Sequence, residues 1–160
     1  VPKWVVLVED NPSDIKVFSE TLAQVSPTTK LEVFRDGSSA FEYFSRYNPQ
    51  SRDVVSLVVL DLQVPRMSGV ELVNEIKKKP ETRTVPVLVV SGTGSPVQVE
   101  QLYVFGINSY VSKPANSEQY RECMKRILEY WLHVNEMPER QPNRMASGSV
   151  PPVSVPPPAR

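Results

Sequence analysis

The sequence predicts a three-layer α/β sandwich in which five βα units surround a parallel sheet, and three observations predict it. Continuous β-branched apolar runs recur at residues 4–8, 57–60 and 85–90. Runs of this kind mark strands buried on both faces rather than strands with one wet face. Segments of helical spacing separate them, as parallel strands joined by right-handed crossovers require. Acidic, hydroxyl and basic residues follow the runs directly, at the sheet edge where open α/β sheets bind ligands.

The elements follow in order. The strand at 4–8 ends in Glu9-Asp10, and Asn11-Pro12 then offers a helix N-cap with proline at the first helical position. Ile15, Phe18, Leu22 and Val25 recur at i, i+3, i+7 and i+10, which predicts a helix. A weaker strand at 31–34 precedes an amphipathic segment at 38–47. The strand at 57–60 ends in Asp61 and leads to a helix over 69–78. The strand at 85–90 ends in Ser91-Gly92-Thr93 and leads to a helix over 96–105, closed by Gly106 as a left-handed C-cap. The last strand, at 107–111, leads into Lys113-Pro114. A final helix over 117–134 places Tyr120, Met124, Ile127, Leu128 and Trp131 on a core-facing stripe. Tyr130 and Leu132 fall off it, as partly exposed residues or as an extension of a self-association surface.

Composition narrows the function. The chain has 160 residues, 40% of them apolar, enough for one domain without disulfides. Its 18 basic and 18 acidic residues leave no global field of the kind that favours nucleic acid or anionic membrane. The single Cys123 closes no internal disulfide and reads as a small buried hydrophobe, which permits a reducing, cytoplasmic setting. No apolar run approaches the ~20 residues of a membrane span, and no signal-peptide pattern opens the chain. Residues 1–136 are therefore expected to form the domain, and the Pro-, Ser- and Val-rich stretch 137–160 a disordered tail.

The strand ends would gather Glu9, Asp10, Asp61, Ser91 and Lys113 on one edge. Carboxylates this close repel unless a cation offsets them. Oxygen-only donors select a hard ion, and Mg²⁺ suits a site that leaves positions for water and phosphate. A carboxylate such as Asp61 forms an acyl phosphate directly, with the metal and Lys113 stabilising the equatorial oxygens. Each residue alone has an ordinary reading as a cap or turn residue. Their joint placement on four strand ends is what carries the chemistry.

These residues resemble the response-regulator receiver domains of two-component signalling. The resemblance covers about 4–134 and rests on Val8-Glu-Asp-Asn-Pro12, Leu60-Asp-Leu-Gln-Val-Pro-Arg-Met-Ser-Gly69, Val90-Ser-Gly-Thr93 and Tyr110-Val-Ser-Lys-Pro114. It implies a flavodoxin-like (βα)5 fold with a five-stranded parallel sheet, and a phosphorylation switch rather than an enzyme. By the same resemblance Asp61 is the phospho-acceptor, Glu9 and Asp10 are metal acids, and the main-chain carbonyl of Gln63 is a further metal ligand. Ser91 is then the switch hydroxyl, Lys113 the phosphate-binding lysine and Tyr110 the switch aromatic, with a cis bond at Lys113-Pro114. Phosphorylation would draw Ser91 inward and let Tyr110 rotate into the space it leaves.

Asn11-Pro-Ser-Asp14, the stretch around 47–53 and Glu129-Tyr-Trp-Leu132 further resemble the small regulators of bacterial phytochrome kinases. That implies a red-light-sensing histidine kinase upstream, an unknown protein downstream and a homodimer. No DNA-binding or catalytic motif follows the receiver.

Two other readings remain to be weighed. A haloacid-dehalogenase-like phosphatase also uses an Asp nucleophile and Mg²⁺, but Asp61-Leu-Gln63 lacks the second acid that would serve as general acid. A degenerate receiver would not need all of Glu9, Asp10, Asp61, Ser91 and Lys113. His133, near a helix end, reads as a dipole or solvent partner rather than a phosphodonor.

Overall fold

The computed structural model describes residues 3–50 and 53–138. The expected tail at 137–160 lies outside the described residues except for Met137 and Pro138. Five strands, β1 (Lys3–Val8), β2 (Lys30–Phe34), β3 (Val54–Leu60), β4 (Val87–Ser91) and β5 (Ser109–Ser112), alternate with five helices. The helices are α1 (Pro12–Val25), α2 (Gly37–Ser45), α3 (Gly69–Lys78), α4 (Pro96–Phe105) and α5 (Ser117–Glu129). The sheet is parallel throughout, in the order β2-β1-β3-β4-β5. The predicted flavodoxin-like sandwich is the one observed.

Alternate residues of each strand feed two separate cores. Val6, Val8, Leu60 and Val89 pack with Phe44, Leu72, Ile76 and Leu102 beneath α2, α3 and α4. Val5, Leu7, Val59 and Val90 pack with Phe18, Leu22, Tyr120 and Met124 beneath α1 and α5. One interruption breaks the alternation. Trp4 pairs with Val55 but Val5 with Leu57, so buried Ser56 is the extra residue of a bulge, and Val55 and Val58 enter the same core three positions apart.

Every helix starts on a side-chain cap: Asn11, Asp36, Ser68, Ser95 and Asn116 each accept from backbone N–H groups of the first turn. Ser95 and Gln98 form a reciprocal capping box, and Gly106 at φ 106° closes α4 as expected. These caps fix the helix starts at the carboxyl edge of the sheet, next to the strand ends.

β4 starts later than its apolar run predicts. Val85 N–H donates to Thr82 O, and its carbonyl accepts from Lys77 Nζ at 2.7 Å, so the residue is spent on the preceding turn before Pro86. Lys77 Nζ also donates to Arg83 O and to Asn108 Oδ1, tying the end of α3 to the loop before β5. Burial pushes the Lys77 amine down to about 8. Between that value and its unfolded value of 10.5 the folded chain binds fewer protons than the unfolded one, so this group makes stability rise with pH across the window. Urea unfolding at pH 8 and pH 10 should show a smaller rise for Lys77→Met than for the wild type; equal rises would contradict this.

The final helix departs from its expected course. After Glu129 it widens into a π-helix over Tyr130–Val134. Tyr120, Met124, Leu128 and Leu132 are buried, in steps of four. A regular helix of 3.6 residues per turn drifts about 40° at each step of four, and the wider π turn takes up the difference. Leu132, expected off the core stripe, is therefore inside, while Trp131 is only partly buried and Tyr130 is exposed.

Candidate functional site

The strand-end backbone assembles the site. Asp61 N–H donates to Val8 O, Glu9 N–H to Phe34 O and Lys113 N–H to Ser91 O, so each residue is fixed by a ladder bond to the neighbouring strand. On the far side, Gly69 at the start of α3 lies against the turn after Asp61, with its N–H on Leu62 O. A Cβ there would stand 2.7 Å from Leu62 Cα and 3.1 Å from Asp61 O, so only glycine lets α3 approach this closely.

The side chains converge on Lys113. Its ammonium lies 2.7 Å from Glu9 Oε2, 2.8 Å from Asp61 Oδ2 and 2.7 Å from Asp14 Oδ2. An ammonium carries three protons, and each has a carboxylate. Asp61 Oδ1 accepts from Ser91 Oγ at 3.1 Å and from Gln63 N–H at 3.0 Å. Glu9 Oε1 accepts from Asp10 N–H and Asn11 N–H. Asp10 is exposed at the mouth.

The electrostatics follow from burial. Desolvation pushes the Glu9 carboxyl up, and the nearby Asp61 charge adds to this, although Lys113 and the Asn11 N–H pull the other way. Desolvation opposes the Lys113 charge, but its hydrogen bonds to Asp14, Asp61 and Glu9 outweigh it and hold the ammonium above the ordinary lysine range. One lysine thus leaves the most buried acid under-compensated, the condition that a hard cation relieves. Oxygen donors from Glu9, Asp10 and Asp61 fit Mg²⁺ in kind. Among the described residues, however, no three acids already form a cation shell, because the lysine occupies their centre.

Ser91 and Tyr110, the residues expected to switch, are linked through one main-chain group. Tyr110 Oη donates to Ser91 O at 3.3 Å and accepts from Gly94 N–H at 3.0 Å, so the ring is seated beneath the β4–α4 loop. Tyr110 N–H donates to Tyr103 Oη of α4 at 3.1 Å. Ser91 is thus already turned inward, held by the Asp61 carboxylate itself.

One expectation is corrected. No peptide bond among the described residues is cis, so Lys113-Pro114 is trans. The lysine needs no such turn here. Its N–H continues the β4 ladder and its Nζ is drawn in by three carboxylates. Sequence reasoning noted Asp14 only within a motif and missed its place at the site, since an acid at the third helical position is ordinarily a partner of the helix dipole. It also missed Tyr120, over whose ring the Lys113 ammonium stands at 5.9 Å.

The response regulator receiver domain model matches residues 5–125. The chain belongs to this family. Receivers are signalling switches that partner with sensor histidine kinases. Among its relatives, the probable methanogenesis regulatory protein FilR2 of Methanothrix harundinacea is 31% identical over 86% of this chain and 88% of its own. The response regulator Rcp1 of Synechocystis is 28% identical over 86% of this chain and 94% of its own. The Mn²⁺-bound structure of Rcp1 superposes with a TM-score of 0.78 at 27% identity, over 86% of this chain and all (100%) of that one. The phosphorylated cyanobacterial phytochrome response regulator RcpA superposes with a TM-score of 0.80 at 31% identity, over 87% of this chain and 100% of that one. Among the described residues of this receiver no helix is long and apolar enough to cross a membrane.

Proposed function

We propose that this receiver accepts a phosphoryl group on Asp61 from a histidine kinase in a Mg²⁺-dependent transfer, and that Ser91 and Tyr110 convert the event into a new surface. The observation that carries this reading is the Lys113 ammonium, 2.8 Å from Asp61 and 2.7 Å from Glu9, with the Ser91 hydroxyl on the same aspartate.

An Asp61 carboxylate oxygen forms the new O–P bond as the P–N bond of the kinase phosphohistidine breaks, and the imidazole nitrogen keeps the electron pair. Held by Glu9, Asp10, Asp61 and the Gln63 carbonyl, Mg²⁺ would supply countercharge to the phosphoryl oxygens. Lys113 donates to one phosphoryl oxygen. Ser91, released from the esterified Asp61 oxygen, donates to another. Tyr110, bonded to Ser91 O, then reports the position of Ser91 to the face made by α4, β5 and α5.

The similarity to Rcp1 and RcpA, together with the Asn11-Pro-Ser-Asp14 motif, supports a bacteriophytochrome kinase as the upstream partner. Residues 1–136 would act as a cytoplasmic single-domain regulator with a Pro-rich tail at 137–160, homodimeric through its last helix, with output passed to another protein. Exposed Tyr130 and Val134 at the end of that helix support the dimer reading.

Intact-protein mass after incubation with a small acyl phosphate and Mg²⁺ tests the chemistry. One phosphoryl group should be gained, and Asp61→Asn or a chelator should abolish the gain. Modification that persists in Asp61→Asn would move the acceptor elsewhere.

A further inference from the structure

We propose that Asp14 is the exchangeable partner of Lys113, a positioning residue that competes with the phosphoryl group and so sets how readily the site is loaded. The inference rests on the phospho-acceptor reading above and goes beyond it, since Asp14 would touch neither the metal nor the phosphoryl group.

All three ammonium protons of Lys113 are committed, to Glu9, Asp14 and Asp61 at 2.7, 2.7 and 2.8 Å. A phosphoryl oxygen on Asp61 needs one of them. The three acids differ in what it costs to let go. Glu9 sits at a strand end with its side chain only 4% exposed, so its released carboxylate would be left buried without its ion pair, whereas Asp61 itself carries the phosphoryl group that draws the lysine. Asp14 stands in the first turn of α1 with its side chain 23% exposed, where water can solvate it once the lysine leaves. The contact that breaks is therefore the one to Asp14.

Two consequences follow from its charge. In the unloaded state Asp14 holds Lys113 beside Glu9, in register for the incoming group. In the loaded state its carboxylate has lost its partner and stands near about two added negative charges. Both effects favour the unloaded state. The isosteric Asn keeps the shape and a neutral acceptor but weakens the competing bond, since charge-assisted hydrogen bonds are roughly twice as strong as neutral ones.

The test uses beryllofluoride, a phosphoryl mimic that coordinates a carboxylate without covalent transfer, titrated calorimetrically into the full chain at saturating Mg²⁺. Asp14→Asn should bind it about three- to tenfold more tightly than the wild type. Asp14→Glu, which restores the charge, should return to near the wild-type constant. Mg²⁺ titrated alone should bind Asp14→Asn within about threefold of the wild type, as expected of a residue that bears only on the lysine. Unchanged beryllofluoride affinity in Asp14→Asn would overturn the proposal, as would equal tightening in Asp14→Glu. Mg²⁺ affinity lowered more than tenfold would also overturn it, by making Asp14 a metal ligand. A wild type that fails to bind beryllofluoride would sink the phospho-acceptor reading together with this one.

Discussion

Lys113→Ala should lower the unfolding free energy in metal-free buffer at pH 7.5 by about 3 kcal/mol, at the low end for removing one member of a buried ion pair. The loss has three parts: Glu9, Asp14 and Asp61 all give up their shared cation, and Glu9 has almost no water to replace it. Two dependences make the expectation specific. Glu9 already has its carboxyl pushed up by burial, and loss of the lysine pushes it further. A carboxyl whose folded pKa exceeds its unfolded value destabilises at high pH and recovers as pH falls through the folded value. The deficit should therefore shrink between pH 7.5 and pH 5.5. It should shrink as well on adding Mg²⁺, which binds the folded acids and stabilises by mass action. Urea unfolding curves measure all three. A deficit indifferent to both pH and Mg²⁺ would mean that lost packing, not uncompensated charge, dominates.

Gly94→Ala should uncouple loading from response. A Cβ on Gly94 would stand 2.2 Å from Tyr110 Oη and 2.7 Å from its Cζ, so the ring must leave its seat beneath the loop. It then loses its bonds to Gly94 N–H and Ser91 O, each worth about 1 kcal/mol. Asp61, Lys113 and Ser91 Oγ stay where they are. The variant should still take up one phosphoryl group from an acyl phosphate. Amide exchange over 92–112, which beryllofluoride should slow in the wild type, should no longer respond. A full exchange response in Gly94→Ala would show that the seated Tyr110 is not the reporter.

How much of this was legible depended on whether the signal was local. Buried parallel strands betray themselves by unbroken Val and Leu, the start of the first helix by Asn11-Pro12 and the end of the fourth by Gly106, because capping is chemistry between near neighbours. The strand-end acids were legible through topology, since a parallel sheet places the residue after each strand on one edge. Asp14 was hidden because its partner lies 99 positions away, between residues 14 and 113. Helical spacing also misplaced Leu132, expected off the core stripe and found buried in it. Periodicity assumes 3.6 residues per turn, and nothing local in Tyr130–Val134 announces the π-helix there. The trans bond at Lys113-Pro114 departs from what the family resemblance implied, where the ion pairs of this chain decide the lysine's direction.

Ser91 faces the chemistry with its hydroxyl and holds Tyr110 with its carbonyl. In the proposed switch the sensing hydroxyl and the anchor of the reporter Tyr110 are the two ends of one residue, and the free energy linking them would run both ways. A downstream protein that grips the seated Tyr110 must strengthen the hold on the phosphoryl group by the same factor by which phosphorylation strengthens its own grip. The target of such a regulator would be an effector of it, and the amount of target present would enter into how much of the regulator is loaded at equilibrium.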